Sequence, residues 1–182
     1  MKPDFPLIHQ EPLSLVVVSY SDLEAIALRS ILEYFNYRVE IHWIGSRPQF
    51  LEVLQGNIPT FHYIVLSCHG DETGILVPGQ ESVSSENLSQ SVKLPGKIVL
   101  GLGCLTGTKP IANAFLKGGC EAYIAPTDFI EGNAALLFAI HLFYFLADKR
   151  TLGEAVDLSQ QHDDQCALFK LYLPASIQGN TL

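Results

Sequence analysis

Residues 97–110 read Lys97-Ile98-Val99-Leu100-Gly101-Leu102-Gly103-Cys104-Leu105-Thr106-Gly107-Thr108-Lys109-Pro110 and hold a complete strand-to-helix transition. Lys97–Leu102 has the apolar run of a buried strand, set off by Pro95-Gly96 and closed by Gly103-Cys104. Thr108 stands where a helix cap belongs. Pro110 falls in the first turn, where a missing amide hydrogen does no harm. The helix is expected to run through Leu116 and to stop at Lys117-Gly118-Gly119.

The same alternation extends both ways. Upstream, Leu13–Ser19 reads as a buried strand, and Ser21 with Glu24 three residues on forms a capping-box pattern. Leu23, Ala27, Leu28, Ile31, Leu32 and Phe35 then read as one helical face. Arg38–Ile44 is a second strand, Arg47–Leu54 a short helix and Phe61–Ser67 a third strand. Gly74–Val77 reads as a short strand and Ser84–Val92 as a weak helix. Downstream follow a strand at Cys120–Ala125, a loop at Pro126-Thr127-Asp128, and helices at Glu131–Leu146 and Thr151–Gln161. Ala167–Leu173 is a last strand, expected at an edge because Lys170 interrupts it. Strands and helices at this spacing predict an α/β fold, a mostly parallel central sheet covered on both faces. Residues 1–182 read as a single domain, with 1–12 as an irregular lead-in holding three prolines.

Composition narrows the function classes. The chain has 182 residues, 48% hydrophobic and 16% charged, enough for a full core and too apolar for a disordered tail. A net charge of -8 argues against a nucleic-acid surface. Ala134–Ala147, broken by His141, is too short to cross a membrane, and the first residues lack the apolar stretch of a secretory signal. The expected location is the cytoplasm. The four cysteines, at 68, 104, 120 and 166, follow no metal-ligand or disulfide spacing, so free thiols are expected and neither metal nor other cofactor is implied.

In an open α/β sheet, ligands meet the carboxyl ends of the parallel strands. Two strands here end in reactive residues, one at His69 and one at Cys104. If they lie side by side, an imidazole and a thiol share one rim. The imidazole can take the proton of the thiol and later return it to a leaving amine. Gly70, Gly101 and Gly103 let backbone pass close to a substrate, and the amides of Gly70 and Cys104 can point at an oxyanion. A cysteine at a strand end is also a common small core residue, and a histidine can be structural; both readings stay open here.

Ser67-Cys68-His69-Gly70, followed by Val99-Leu100-Gly101-Leu102-Gly103-Cys104-Leu105-Thr106-Gly107, resembles the caspase-like cysteine peptidase superfamily (clan CD), and within it the CHAT branch. Ile111–Gly119, Ala122–Asp128, Phe143-Tyr144 and Leu152-Gly153-Glu154-Ala155 extend the resemblance over about residues 60–160. The resemblance implies a three-layer α-β-α sandwich and an endopeptidase with a His69–Cys104 dyad. Gly70 and Cys104 would serve as oxyanion donors, with a peptide or protein as substrate. The segment before the nucleophile, Gly101-Leu102-Gly103, lacks the acid that metacaspase-like and clostripain-like relatives carry. Charge for substrate binding would come from Asp71, Glu72 or Asp128, although a solvated loop also explains the first two. Two alternatives stand beside the peptidase. One is an inactive caspase-like module used in protein interaction; the other is a flavodoxin-like or receiver-like domain.

Among the remaining residues, Cys68 is expected to point into the core, opposite to His69 on an extended strand. Cys120 reads as packing and Cys166 as a surface or edge thiol. His42 and His62 form no metal motif, His141 is expected to hydrogen-bond in a packed interface, and His162-Asp163-Asp164 reads as a solvated helix end. Trp43 reads as core or interface. The edge at Ala167–Leu173 offers a route to a homodimer.

Overall fold

The computed structural model describes residues 10–18, 21–79 and 81–175. Leu13 to Val18 are buried on both faces of the first strand, β1 (Glu11–Val18), as the unbroken apolar run requires. β1 pairs in parallel with β2 (Tyr37–Ile44) on one side and β3 (Tyr63–Ser67) on the other. β3 pairs in parallel with β7 (Ile98–Gly101), and β7 with β8 (Ala122–Pro126). The last strand, β9 (Phe169–Tyr172), runs antiparallel to β8 at the edge, giving the order β2-β1-β3-β7-β8-β9.

Alternate residues of each strand feed two cores. Leu13, Leu15 and Val17 face α1 (Asp22–Tyr34), α5 (Gly132–Ala147) and α6 (Leu152–Gln160). Val16 and Val18 face α2 (Arg47–Leu54), α3 (Ser85–Ser91) and α4 (Lys109–Lys117). The result is the expected three-layer sandwich, helices on both faces of a mostly parallel sheet. No helix among the described residues is long and apolar enough to cross a membrane.

The structure departs from expectation in several places. β1 starts at Glu11, so the lead-in ends two residues early; Glu11 and Pro12 pair with Tyr37 and Arg38 on β2. β3 reaches β1 only from Leu13 onward, so the missing amide of Pro12 interrupts no central ladder. Residues 1–9 and the strand end at Ser19 lie outside the described residues. On α1 the buried face is Ala25, Leu28 and Leu32, while Leu23 is 87% exposed. At 100° per residue, Leu23 lies about 140° round the helix from Leu28, beyond the buried stripe. The capping box at Ser21 does not form, because the Glu24 carboxylate accepts the Ser67 hydroxyl instead. Thr108 occupies the N-cap of α4, but its side chain makes no capping bond. A capping box does form at the start of α6, between Thr151 and Glu154.

Cys166 is fully buried, against the expectation of a surface thiol, in a 3-10 turn (Cys166–Leu168) beneath α5. Trp43 is half exposed on the edge strand β2, so it is no core residue. His141 packs its ring against His162, with centroids 4.7 Å apart, and makes no hydrogen bond among the described residues. His162, Asp163 and Asp164 are exposed just past α6, as expected of a solvated helix end, and the Asp163 carboxylate accepts the Gln165 and Cys166 amides that lead into that 3-10 turn.

The short strand expected at Gly74–Val77 is present, and it has two partners that were not expected. Past β3 the chain turns into an antiparallel three-stranded sheet of β4 (His69–Asp71), β5 (Gly74–Val77) and β6 (Glu81–Val83). Its first turn is held by Asp71, whose carboxylate accepts both the amide and the hydroxyl of Thr73.

The buried core and the exposed side of α1 are separable in solution. Phe138 is fully buried and stacked on Phe169, so Phe138→Ala is expected to cost about 3–5 kcal/mol in chemical denaturation. Leu23→Ala is expected to move stability by no more than about 0.5 kcal/mol, and a large loss there would return Leu23 to the core.

Candidate active site

The parallel pairing of β3 with β7 ends at Leu66 opposite Gly101, and the Leu102 amide still bonds to the Leu66 carbonyl. No strand lies between them. The two chains therefore leave the sheet side by side at their carboxyl ends, three residues before His69 and Cys104. A Cβ placed on Gly103 would lie 2.9 Å from the His69 carbonyl carbon and 3.0 Å from the Gly70 nitrogen. A Cβ on Gly70 would overlap the Cys104 carbonyl oxygen and lie 2.9 Å from Thr106 Cγ2. Both glycines are thus required by close backbone approach. The His69–Gly70 and Gly103–Cys104 segments are in contact through their main chains.

The side chains behave differently. His69 is exposed and Cys104 half-buried. No hydrogen bond joins them. The Cys104 thiol donates to the Ile130 carbonyl, with Sγ 3.3 Å from the oxygen, and accepts from the Ile130 amide at 3.4 Å. Ile130 lies in the loop between β8 and α5, which the sequence reading did not connect with the thiol.

Two amides were expected to face an oxyanion. Asp71 and Gly74 flank the two-residue turn that joins β4 to β5. Gly70 is paired with Ile75 of β5, and its nitrogen lies where the Gly103 backbone passes closest. The Cys104 amide has no acceptor among the described residues, while its neighbours at 105, 106 and 107 bond to Asp128, Gly103 and Pro126.

The loop carrying Cys104 is firmly held. The Thr106 hydroxyl donates to the Gly103 carbonyl at 2.6 Å, and buried Tyr123 donates to the Thr106 carbonyl at 2.9 Å. Tyr123 in turn stacks on Phe115, centroids 4.3 Å apart. The Tyr172 hydroxyl, from β9, donates to the Gly107 carbonyl. Leu105 has a φ of 59°, a left-handed conformation that costs a side-chain-bearing residue on the order of 1–2 kcal/mol. The bend that turns the chain after Cys104 is therefore strained and supported from below.

The three acids expected to bind substrate divide. Asp71 and Glu72 line a cavity of about 390 Å³ together with Thr73, Leu105, Thr108 and Ile111. The Thr73 hydroxyl holds the Asp71 carboxyl below the usual carboxylate range. Asp128 lies apart from that cavity, exposed in the β8–α5 loop, where its main-chain carbonyl accepts the Leu105 amide. A larger cavity of about 670 Å³, lined by Glu11, Tyr37, His62 and Tyr63, sits at the opposite ends of the strands and contains no thiol. Among the described residues no group of three or more His, Cys, Asp or Glu is arranged to hold a metal.

Cys68 points into the core as expected, and burial pushes its thiol up to about 12. Burial does the same for Cys120 and Cys166, each also to about 12. The remaining acid at this rim is one the sequence reading assigned elsewhere. Glu24 reaches from the first turn of α1 to the Ser67 hydroxyl at 2.9 Å, two residues before His69, and its burial raises its pKa.

No protein-family model matches the sequence, and no curated protein does. Among solved structures the fold resembles that of the Arg-specific cysteine proteinase gingipain R, with a TM-score of 0.61 at 12% identity. That match covers 90% of this chain and 46% of gingipain. The Porphyromonas gingivalis complex of its pro- and mature domains matches at 0.60 and 11% identity, over 91% and 47% of the two chains. Separase of Saccharomyces cerevisiae, in its complex with securin, matches at 0.61 and 13% identity, over 90% of this chain and 12% of separase. The chain therefore spans about half the length of gingipain R and a small part of separase. At such identities the likeness is one of fold: this is the architecture of the caspase-like peptidases.

Two substitutions probe the rim. Gly70→Ala forces a methyl group into the Cys104 loop and is expected to destabilise by about 1–3 kcal/mol; an unchanged denaturation midpoint would mean the backbones are farther apart. For Glu24, a raised folded pKa means its contribution is most favourable below the unfolded carboxylate value and is lost as pH rises. Glu24→Gln is therefore expected to raise the unfolding midpoint at pH 7, with the gain vanishing near about pH 4. Equal gains at both pH values would contradict the burial cost.

Proposed function

We propose that the chain is a cysteine endopeptidase of the caspase-like superfamily, in its CHAT branch. Cys104 is the nucleophile and His69 the proton carrier. The thiol loses its proton to the imidazole, and sulfur attacks the carbonyl carbon of a peptide bond. The carbonyl oxygen takes up the negative charge, and the amides of Gly70 and Cys104 stabilise it. Collapse breaks the C–N bond as His69 protonates the departing amine. Water, deprotonated by His69, then attacks the thioester; the carboxylic acid leaves and the thiol is restored. Asp71 and Glu72, on the rim of the neighbouring cavity, are the groups we assign to substrate binding, with Asp128 from the β8–α5 loop.

The observation that carries this reading is the main-chain contact between Gly70 and Cys104 at the ends of two directly paired strands. The Cys104 amide, without an acceptor among the described residues, supports it further.

A second reading is a caspase-like module without peptidase activity that acts through protein interaction. What favours it is the thiol's engagement with Ile130 in place of His69. Two copies would then meet most simply across the outer edge of β9, a contact that a monomeric mass in solution would exclude.

A peptide bearing a thiol-directed electrophile separates the two. The peptidase is expected to label at Cys104, with labelling lost in Cys104→Ala and strongly reduced in His69→Ala, both variants remaining folded. Equal labelling of Cys104→Ala would point to a different thiol. Labelling indifferent to His69 would favour the inactive module.

A further inference from the structure

Cys104 stands between two partners that need the same sulfur. A catalytic thiol must be free to give its proton to a base. Here its hydrogen and its lone pair are both engaged by one residue, Ile130, through main-chain groups alone. The segment around Ile130 is fastened along its length. At one end the Thr127 amide and hydroxyl both donate to the Leu168 carbonyl at 3.0 Å. In the middle the Asp128 carbonyl accepts from Leu105, and the Asp128 carboxylate accepts the Phe129 amide at 2.7 Å. At the other end the Glu131 amide donates to the Gln165 side chain at 2.6 Å. Asp128 and Phe129 stand exposed, Phe129 at 56%.

We propose that Thr127–Glu131 is a strap that closes the Cys104 thiol in the resting protein, and that a bound peptide opens it. The proposal rests on the peptidase reading of the site and adds its regulation. A peptide in extended form carries the same alternation of N–H and C=O that Ile130 presents, so it replaces the strap with groups of like chemistry. Sulfur is a weak donor and a weak acceptor, so the two bonds to Ile130 hold the thiol lightly. The fastening is done by the neighbouring bonds. Lifting residues 128–130 breaks the Leu105–Asp128 bond and pulls on the Glu131–Gln165 bond, with the Thr127–Leu168 pair as the pivot at one end and Glu131, whose carbonyl caps α5 through Ala134 and Ala135, at the other. The exposed ring of Phe129 is where an approaching chain first meets the strap.

The test is the rate at which iodoacetamide, a small neutral reagent, alkylates Cys104 in the intact chain, followed by peptide mass. The other three thiols are buried and serve as internal references. Gln165→Ala removes one fastening bond; since an ordinary hydrogen bond is worth about 1 kcal/mol, it is expected to speed alkylation about fivefold. Hydrogen exchange at the Ile130 amide is expected to accelerate in the same variant, a readout that does not depend on the reagent. Wild-type Cys104 reacting as fast as free cysteine, or Gln165→Ala leaving both rates unchanged, would overturn the strap. The strap and the chemistry fail separately. Faster alkylation in Gln165→Ala without His69-dependent peptide labelling keeps the strap and discards the peptidase. His69-dependent labelling with unchanged alkylation does the reverse.

Discussion

The parallel pairing of β3 with β7 is the constraint on which the candidate site depends. Val65 and Leu100 of these strands are buried in one core, Ile64, Leu66 and Val99 in the other, and the register between them is fixed residue by residue as far as Leu66 and Gly101. A one-residue slip would turn every one of these side chains to the wrong face. The apolar layers thus hold the two strand ends, and with them the starts of the His69 and Cys104 segments, to a single relative position. The chemistry at the rim inherits its geometry from packing that is itself chemically inert.

Above that rim the geometry is set by main-chain contacts and by polar groups buried from below. Gly70 and Gly103 let two backbones touch, and Gly107 is needed for the same reason against Ala125 and Pro126. Thr106 and Tyr123 tie the loop to β8, so the left-handed turn at Leu105 is supported by a hydrogen-bonded chain rooted in an aromatic stack. Strain of this kind persists only where the surroundings over-determine it, and it concentrates at functional sites. The motif Cys-x-Thr-Gly accordingly has a structural meaning for each letter: the thiol, the strained residue, the buried tie and the close approach.

Much of this was legible in the sequence, for identifiable reasons. α2 begins and ends where Arg47 and Leu54 lead one to expect, because Ser46 caps it and Gly56 follows it with a positive φ. The buried strands announced themselves as apolar runs, while the adjacency of β3 and β7 was only a condition of the reading, which the sheet order meets. What escaped had weak local signals. β4 and β6 are three residues each, too short for a period to show, and only β5 between them was read as a strand. Glu24 matched a local capping pattern so well that its actual partner, 43 residues away on β3, was invisible. Cys166 follows a polar run, and only the tertiary position of α5 buries it. The partner of Cys104 could not be read at all, since Ile130 acts through an amide and a carbonyl that every non-proline residue possesses.

That last point bears on how such a site can be both stable and responsive. A side-chain partner for the thiol would commit the site, because a charged or strongly hydrogen-bonding group cannot be exchanged without leaving a buried polar atom unsatisfied. A main-chain partner carries no such commitment. The amide and carbonyl of Ile130 are replaceable by those of any extended chain, and once displaced they lie in an exposed loop where water can satisfy them. The thiol is accordingly the one reactive group of this rim whose present neighbours are interchangeable with a peptide. The loop that supplies them is tied down by bonds to Leu105, Gln165 and Leu168, none of which belongs to the His69–Gly70 segment. The strands and the Thr106–Tyr123 tie can therefore keep the Cys104 backbone fixed while its side chain changes partner, which separates the part of the site that must be rigid from the part that must yield.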